Sequence, residues 1–145
     1  FRLFGLIPVA TASGPDTDRS AAGRLAAEPV AWLPQASTPQ AGARWTPVDD
    51  ERAVVTLATP TEPVQVEVVI DGEGRLRSTR TERWRDDRSP PRAEPFGGPI
   101  ASELTTEAGV RIAGAGSVGW GCGTAEWSEF FRFRLRSARP ARSTS

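Results

Sequence analysis

A chain of 145 residues suits one domain and is long enough to bury about 68–70% of the surface that it exposes when unfolded. Its 18 Arg balance 18 Asp and Glu, so the net charge is zero and there is no strong field to draw nucleic acid or anionic lipid. His is absent and Cys122 stands alone, which removes Ser-His-Asp and Cys-His nucleophile systems, His-ligated metal sites and any internal disulfide.

Phe1, Leu3 and Ile7 alternate along Phe1–Val9, which reads as a strand that Pro8 confines to an edge or an end. The apolar start lacks the charged flank of a signal peptide. Ser13-Gly14-Pro15 breaks the pattern, and Asp16 to Asp18 are N-cap candidates for an Ala-rich helix over about Asp18–Glu28. Pro29 is expected to end or kink it near Glu28. Val30–Leu33 follows as a helical turn or an extended link, and Gln35–Ala43 as a polar loop.

From Arg44 the pattern is β. Arg44–Val48 and Ala53–Thr59 read as short strands around an Asp49-Asp50 turn. Val64, Val66, Val68 and Ile70 alternate with their neighbours, the clearest strand signal in the chain. Asp71-Gly72-Glu73-Gly74 is a hairpin turn into a partner strand, Arg75–Trp84. Arg85–Pro99, with four Pro, reads as a loop. Ile100–Thr105, Gly109–Ala113 and Ser117–Trp120 follow as separate short strands punctuated by glycines. In a last strand, Phe130–Arg136, Phe131, Phe133 and Leu135 face one way and Arg132, Arg134 and Arg136 the other. The expected fold is α+β: a curved, half-barrel-like antiparallel sheet with one short helix packed on it. Residues 1–136 form a single domain, and Ser137–Ser145 is a disordered tail.

The candidates for chemistry are few. Gly121-Cys-Gly-Thr124 shares only composition with a phosphate loop, since no Lys follows it, and Cys122 reads as a small residue in a tight strand or turn. The adjacent Asp49 and Asp50, and Glu126 with Glu129, read as solvated turn carboxylates. Arg75, Arg77 and Arg83, with Arg132, Arg134 and Arg136, read as an exposed row that resists edge aggregation rather than as a nucleic-acid site. Five Trp in a chain without Tyr either build a core or line a concave sheet. No run approaches the roughly 18 apolar residues of a membrane-spanning helix.

Several stretches together resemble an uncharacterised bacterial family of the actinobacterial type, a domain of unknown function. They are Leu3-Phe-Gly-Leu-Ile-Pro-Val9, Ser13-Gly-Pro-Asp16, Arg19-Ser-Ala-Ala-Gly-Arg-Leu-Ala-Ala-Glu28, Arg44-Trp45 and Asp71-Gly-Glu-Gly-Arg-Leu76. Arg83-Trp84, Pro95-Phe-Gly97, Gly109-Val-Arg-Ile112, Gly119-Trp120, Gly123-Thr124 and Glu129-Phe-Phe-Arg132 complete the match, while Pro29 and Ala113 depart from the family pattern. The resemblance implies that this chain is the C-terminal part of a larger protein, and it carries over no catalytic residue. The sheet-rich pattern is also similar in architecture to the half-barrels of lipoprotein carriers, which does not fix function.

The leading expectation is a non-enzymatic binding module for an apolar ligand or lipid on the concave sheet face, without metal or cofactor. Trp32, Trp45, Trp84 and Trp120 line the space; Glu28 and Arg44 flank it, and Asp49 completes the candidate set. The alternatives are a carboxylate–Arg enzyme built on Glu28, Arg44 and Asp49, and a structural or protein-interaction domain. The chain is expected to be soluble, in a bacterial cytoplasm or cell envelope, with neither nucleic-acid partner nor transmembrane segment.

Overall fold

The computed structural model describes residues 2–3, 7–8, 15–60, 62–85 and 87–139. The expected first strand is instead two short strands, β1 (Arg2–Leu3) and β2 (Ile7–Pro8), paired antiparallel with each other. A Pro at a strand end withholds only a donor that the two-residue ladder does not need. The rest of Phe1–Val9, and the tail beyond residue 139, lie outside the described residues.

The helix α1 spans Pro15–Trp32, longer at both ends than expected. Pro15 takes the first helical position, where its missing N–H is harmless. The expected cap residues Asp16 and Asp18 therefore stand inside the first turns. The helix also runs through Pro29. An interior Pro disfavours a helix by roughly 3 kcal/mol. Ala26 before it and Val30, Ala31 and Trp32 after it all pack on the sheet, and a break would strip the second group away. The Leu33 N–H closes the last turn on the Pro29 carbonyl at 2.8 Å. The polar loop beyond resolves into two 3₁₀ turns, Pro34–Ser37 and Pro39–Ala41.

Seven strands follow as a meander, β3 (Arg44–Pro47), β4 (Arg52–Leu57), β5 (Val64–Ile70), β6 (Leu76–Arg85), β7 (Arg92–Thr105), β8 (Arg111–Trp120) and β9 (Ser128–Arg134). Spatial order equals sequence order, every pairing is antiparallel, and β3 and β9 do not meet, so the sheet is open. Among the described residues the protein is thus mostly β with one α-helix against the sheet, chiefly on β5, β6 and β8. Two connected cores lie between helix and sheet. One centres on Ala26, Val55, Leu57, Val66 and Val68. The other centres on Ala31, Ile100, Ala113 and Phe133, and Leu76 packs against both.

Two segments correct the sequence reading. Most of the expected loop Arg85–Pro99 belongs to β7, which pairs with β6 from Arg85↔Arg92 to Ser78↔Pro99. Pro95 and Pro99 of β7 fall where the ladder to β8 asks for no N–H donor, although the Pro95 carbonyl accepts the Gly121 N–H at 2.7 Å. The β7–β8 pairs begin at Phe96↔Trp120, so Pro95 stands beyond their end, and they skip from Gly97↔Gly119 to Ile100↔Gly116 across Pro99. The two expected strands Gly109–Ala113 and Ser117–Trp120 merge into β8. Gly116 and Gly119 serve close approach there rather than turning: a Cβ would lie 2.6 Å from the Pro99 carbonyl at Gly116 and 2.1 Å from that of Ser128 at Gly119.

Candidate functional site

The sheet and the C-terminal half of α1 do not close on each other completely. An open cleft of about 330 Å³ remains, walled by Val30 and Ala31 of α1, Val68 of β5, Leu76 of β6, Val110, and Ile112 of β8. Strand alternation turns Val68 and Ile112 toward the helix, and the short side chains of Val30 and Ala31 leave the gap. Trp45 of β3 borders it with 41% of its surface exposed. Its indole N–H donates to the Ser37 carbonyl at 2.7 Å, which fixes the ring. At another wall, Glu103 accepts the Leu76 N–H at 3.0 Å and an Arg111 N–H at 3.4 Å, and Arg111 also donates to the Gly74 carbonyl at 3.1 Å. This charged pair braces the β5–β6 turn against β7 and β8. A second, smaller cavity of about 210 Å³ lies beside Ala26, Pro29, Ala43 and Leu57.

Toward the N-terminal half of α1 the contact is closed by an arginine–aromatic cluster. The Arg83 guanidinium lies 4.5 Å from the Phe96 ring centre and 5.3 Å from that of Trp120, and Arg85 lies 4.6 Å from Trp120. Phe96 and Trp120 meet edge to face at 4.8 Å. Arg83 also donates to the Ser20 carbonyl at 3.0 Å and the Ser20 hydroxyl at 3.2 Å, tying helix to sheet. Gly23 makes this fit possible, because a Cβ there would stand 3.0 Å from Arg83 Cγ. Arg85 donates to Asp87 and to Glu94, both at 2.8 Å. These hydrogen bonds, from Arg85 first of all, hold both carboxyls below their ordinary pKa range.

The sequence-derived candidates do not share one space. Trp45 lines the cleft and Trp120 sits in the arginine cluster. Trp32 donates its N–H to the Ala113 carbonyl at 3.1 Å and packs edge-on against Phe133 at 5.1 Å. Trp84 lies under the Arg19 guanidinium at 5.4 Å. Glu28, on α1, and Arg44, exposed at the start of β3, line neither cavity. Asp49 sits in the exposed β3–β4 turn, 2.6 Å from Arg52, whose hydrogen bond lowers its pKa. Cys122 is buried, and burial pushes its thiol pKa up. Among the described residues, no three His, Cys, Asp or Glu side chains come together as metal ligands. No described helix is long and apolar enough to cross a membrane.

A family model described as a family of unknown function, DUF6544, matches residues 1–133. The chain belongs to this family. Neither the curated proteins nor the solved structures give a match. In this DUF6544 chain, three of the stretches that carry the resemblance, Arg83-Trp84, Pro95-Phe-Gly97 and Gly119-Trp120, meet in the arginine–aromatic cluster. Arg83 is expected in an exposed row, yet it also belongs to one of the stretches that carry the family resemblance. Arg83 is half-buried, and its place within the family stretches, beside two others bearing aromatic residues, is the signal in the sequence for its place in the cluster.

Proposed function

We propose that this DUF6544 chain is a non-enzymatic binding module for an apolar ligand, a lipid or another molecule bearing an acyl chain. The cleft beside the C-terminal half of α1 is the site. The observation that carries the reading is Trp45, an indole pinned by its own hydrogen bond yet 41% exposed on a cleft walled largely by aliphatic side chains, with the Glu103–Arg111 pair at one side. A cleft of about 330 Å³ falls at the lower end of small-molecule sites, which run roughly 300–1,000 Å³. The open sheet and its ladder irregularities, at Val69/Ile70, Ile100/Ser102, Ser102/Glu103 and Val118/Gly119, support a curved, half-barrel-like shape, because bulges bend strands. The carboxylate–Arg enzyme reading draws no comparable support, since Glu28, Arg44 and Asp49 line neither cavity.

The test is a titration of intrinsic Trp fluorescence with a long-chain fatty acid. A saturable blue shift that Trp45→Phe removes and Trp120→Phe retains is the expected result. An unchanged spectrum, or a shift that survives Trp45→Phe, rejects the cleft as the site.

A further inference from the structure

We propose that the outer edge of β9 receives an extended strand from a partner protein, and that the partner's residues alternate acidic and apolar. This inference is independent of the cleft. Among the described residues β9 pairs with β8 on one side and with no strand on the other. The two edges of the sheet are unlike. The β3 edge is four residues long and ends in Pro47, which denies it a donor. The β9 edge has seven residues and no Pro.

The backbone of β9 sets which groups are on offer. The Leu135 N–H donates to the Gly114 carbonyl at 2.7 Å, toward β8. Alternation along an antiparallel ladder then turns the amides of Phe133 and Phe131 toward β8 and those of Arg132 and Arg134 outward. The side chains make two rows. Phe131 and Phe133 stack at 6.4 Å on the helix side, and while Phe133 is 8% exposed, Phe131 is 52% exposed. Arg132 and Arg134 lie on the other face, both exposed. Arg132 is paired only within its own strand, with Glu129 at 3.0 Å, and among the described residues Arg134 and Arg136 have no ion pair.

Charge decides the occupant. A second copy of the chain, added to this edge by a two-fold axis, would set the Arg row against itself on one face, and like charges directly opposed destabilise a strand pair. An incoming strand with carboxylates against Arg132 and Arg134 and apolar side chains against Phe131 satisfies both rows, while its backbone meets the outward amides.

The experiment uses the whole chain and two end-capped peptides of about six to eight residues, an ordinary strand length. One alternates Glu and Val, the other Lys and Val. Anisotropy of the labelled peptides gives affinity, and amide exchange followed by NMR gives the place of binding. The Glu–Val peptide is expected to bind at least about tenfold more tightly than the Lys–Val peptide, and Arg134→Glu to reverse that order. The amides of Arg132 and Arg134 gain protection on binding, whereas those of Phe131 and Phe133 are protected beforehand. Absence of binding, equal affinity for the two peptides, or binding without protection at Arg132 and Arg134 overturns the proposal. So does sedimentation showing self-association of the chain that Phe131→Lys abolishes.

Discussion

At Ser20 and Gly23 the helix lies directly on Arg83, with two aromatic rings beneath the guanidinium. At Val30 and Ala31 the same helix stands over the same sheet with an open cleft between them. Side-chain size makes the difference. A glycine opposite a long Arg and two rings leaves no gap, whereas small aliphatic side chains opposite Val68 and Leu76 cannot reach across. One half of the interface therefore holds the helix closely and the other half leaves open space, and the proposed binding site is that open half.

That contrast is broken most severely at Phe96. Phe96→Ala removes a buried ring from under Arg83 and is expected to destabilise the fold by about 3–5 kcal/mol in a denaturant titration. Arg83→Ala comes next, at about 2–3 kcal/mol, because it removes charged hydrogen bonds to Ser20 together with the stacking. Arg83→Lys keeps the charge without the planar fork and should recover only part of that loss. At the open half, Val30→Phe sharpens the comparison. It should change stability by no more than about 1 kcal/mol, because the cleft has space, yet suppress the fatty-acid response by filling it.

The smallest effect concerns pH. The Arg85 hydrogen bond lowers the Glu94 pKa below its ordinary 4.5, so the folded state favours the carboxylate. That contribution is present above the unfolded value and fades as the pH falls through the lowered folded one. Thermal melts should show the unaltered chain losing more stability below about pH 4.5 than Glu94→Gln, while the two run parallel above it. Parallel curves throughout would mean that the Arg85–Glu94 pair is not coupled to folding.

Where local pattern and tertiary environment agree, the elements were legible. Val64–Ile70 alternates cleanly because one face is core, and β5 has those bounds. The Asp71–Gly74 turn was legible because Gly74 takes a positive φ of 69° and Asp71 accepts the N–H groups of Glu73 and Arg75. The errors share one cause, which is reading Pro and Gly by their local habits. Pro29 lies inside a helix because buried residues on both sides of it require continuity. Pro95 and Pro99 lie inside a strand because the neighbouring ladder asks for no N–H donor there. The candidate site was only partly legible. Trp45 was named, but Val30, Leu76, Glu103 and Arg111 come to the cleft from four different elements, and no spacing along the chain announces that.

By itself the sequence determined the β-rich class, the hairpins whose turn residues and alternation coincide, the two-rowed character of β9 and the family. These follow from short-range periodicity and from motif order, both of which survive without a third dimension. The tertiary structure alone decided that Arg83 is a clasp and not a surface charge, that three distant stretches meet around it, and that the helix passes Pro29 to wall a cleft. Each depends on which side chain stands opposite which, and on whether burial offsets a local penalty. Those balances are set only when helix and sheet come together.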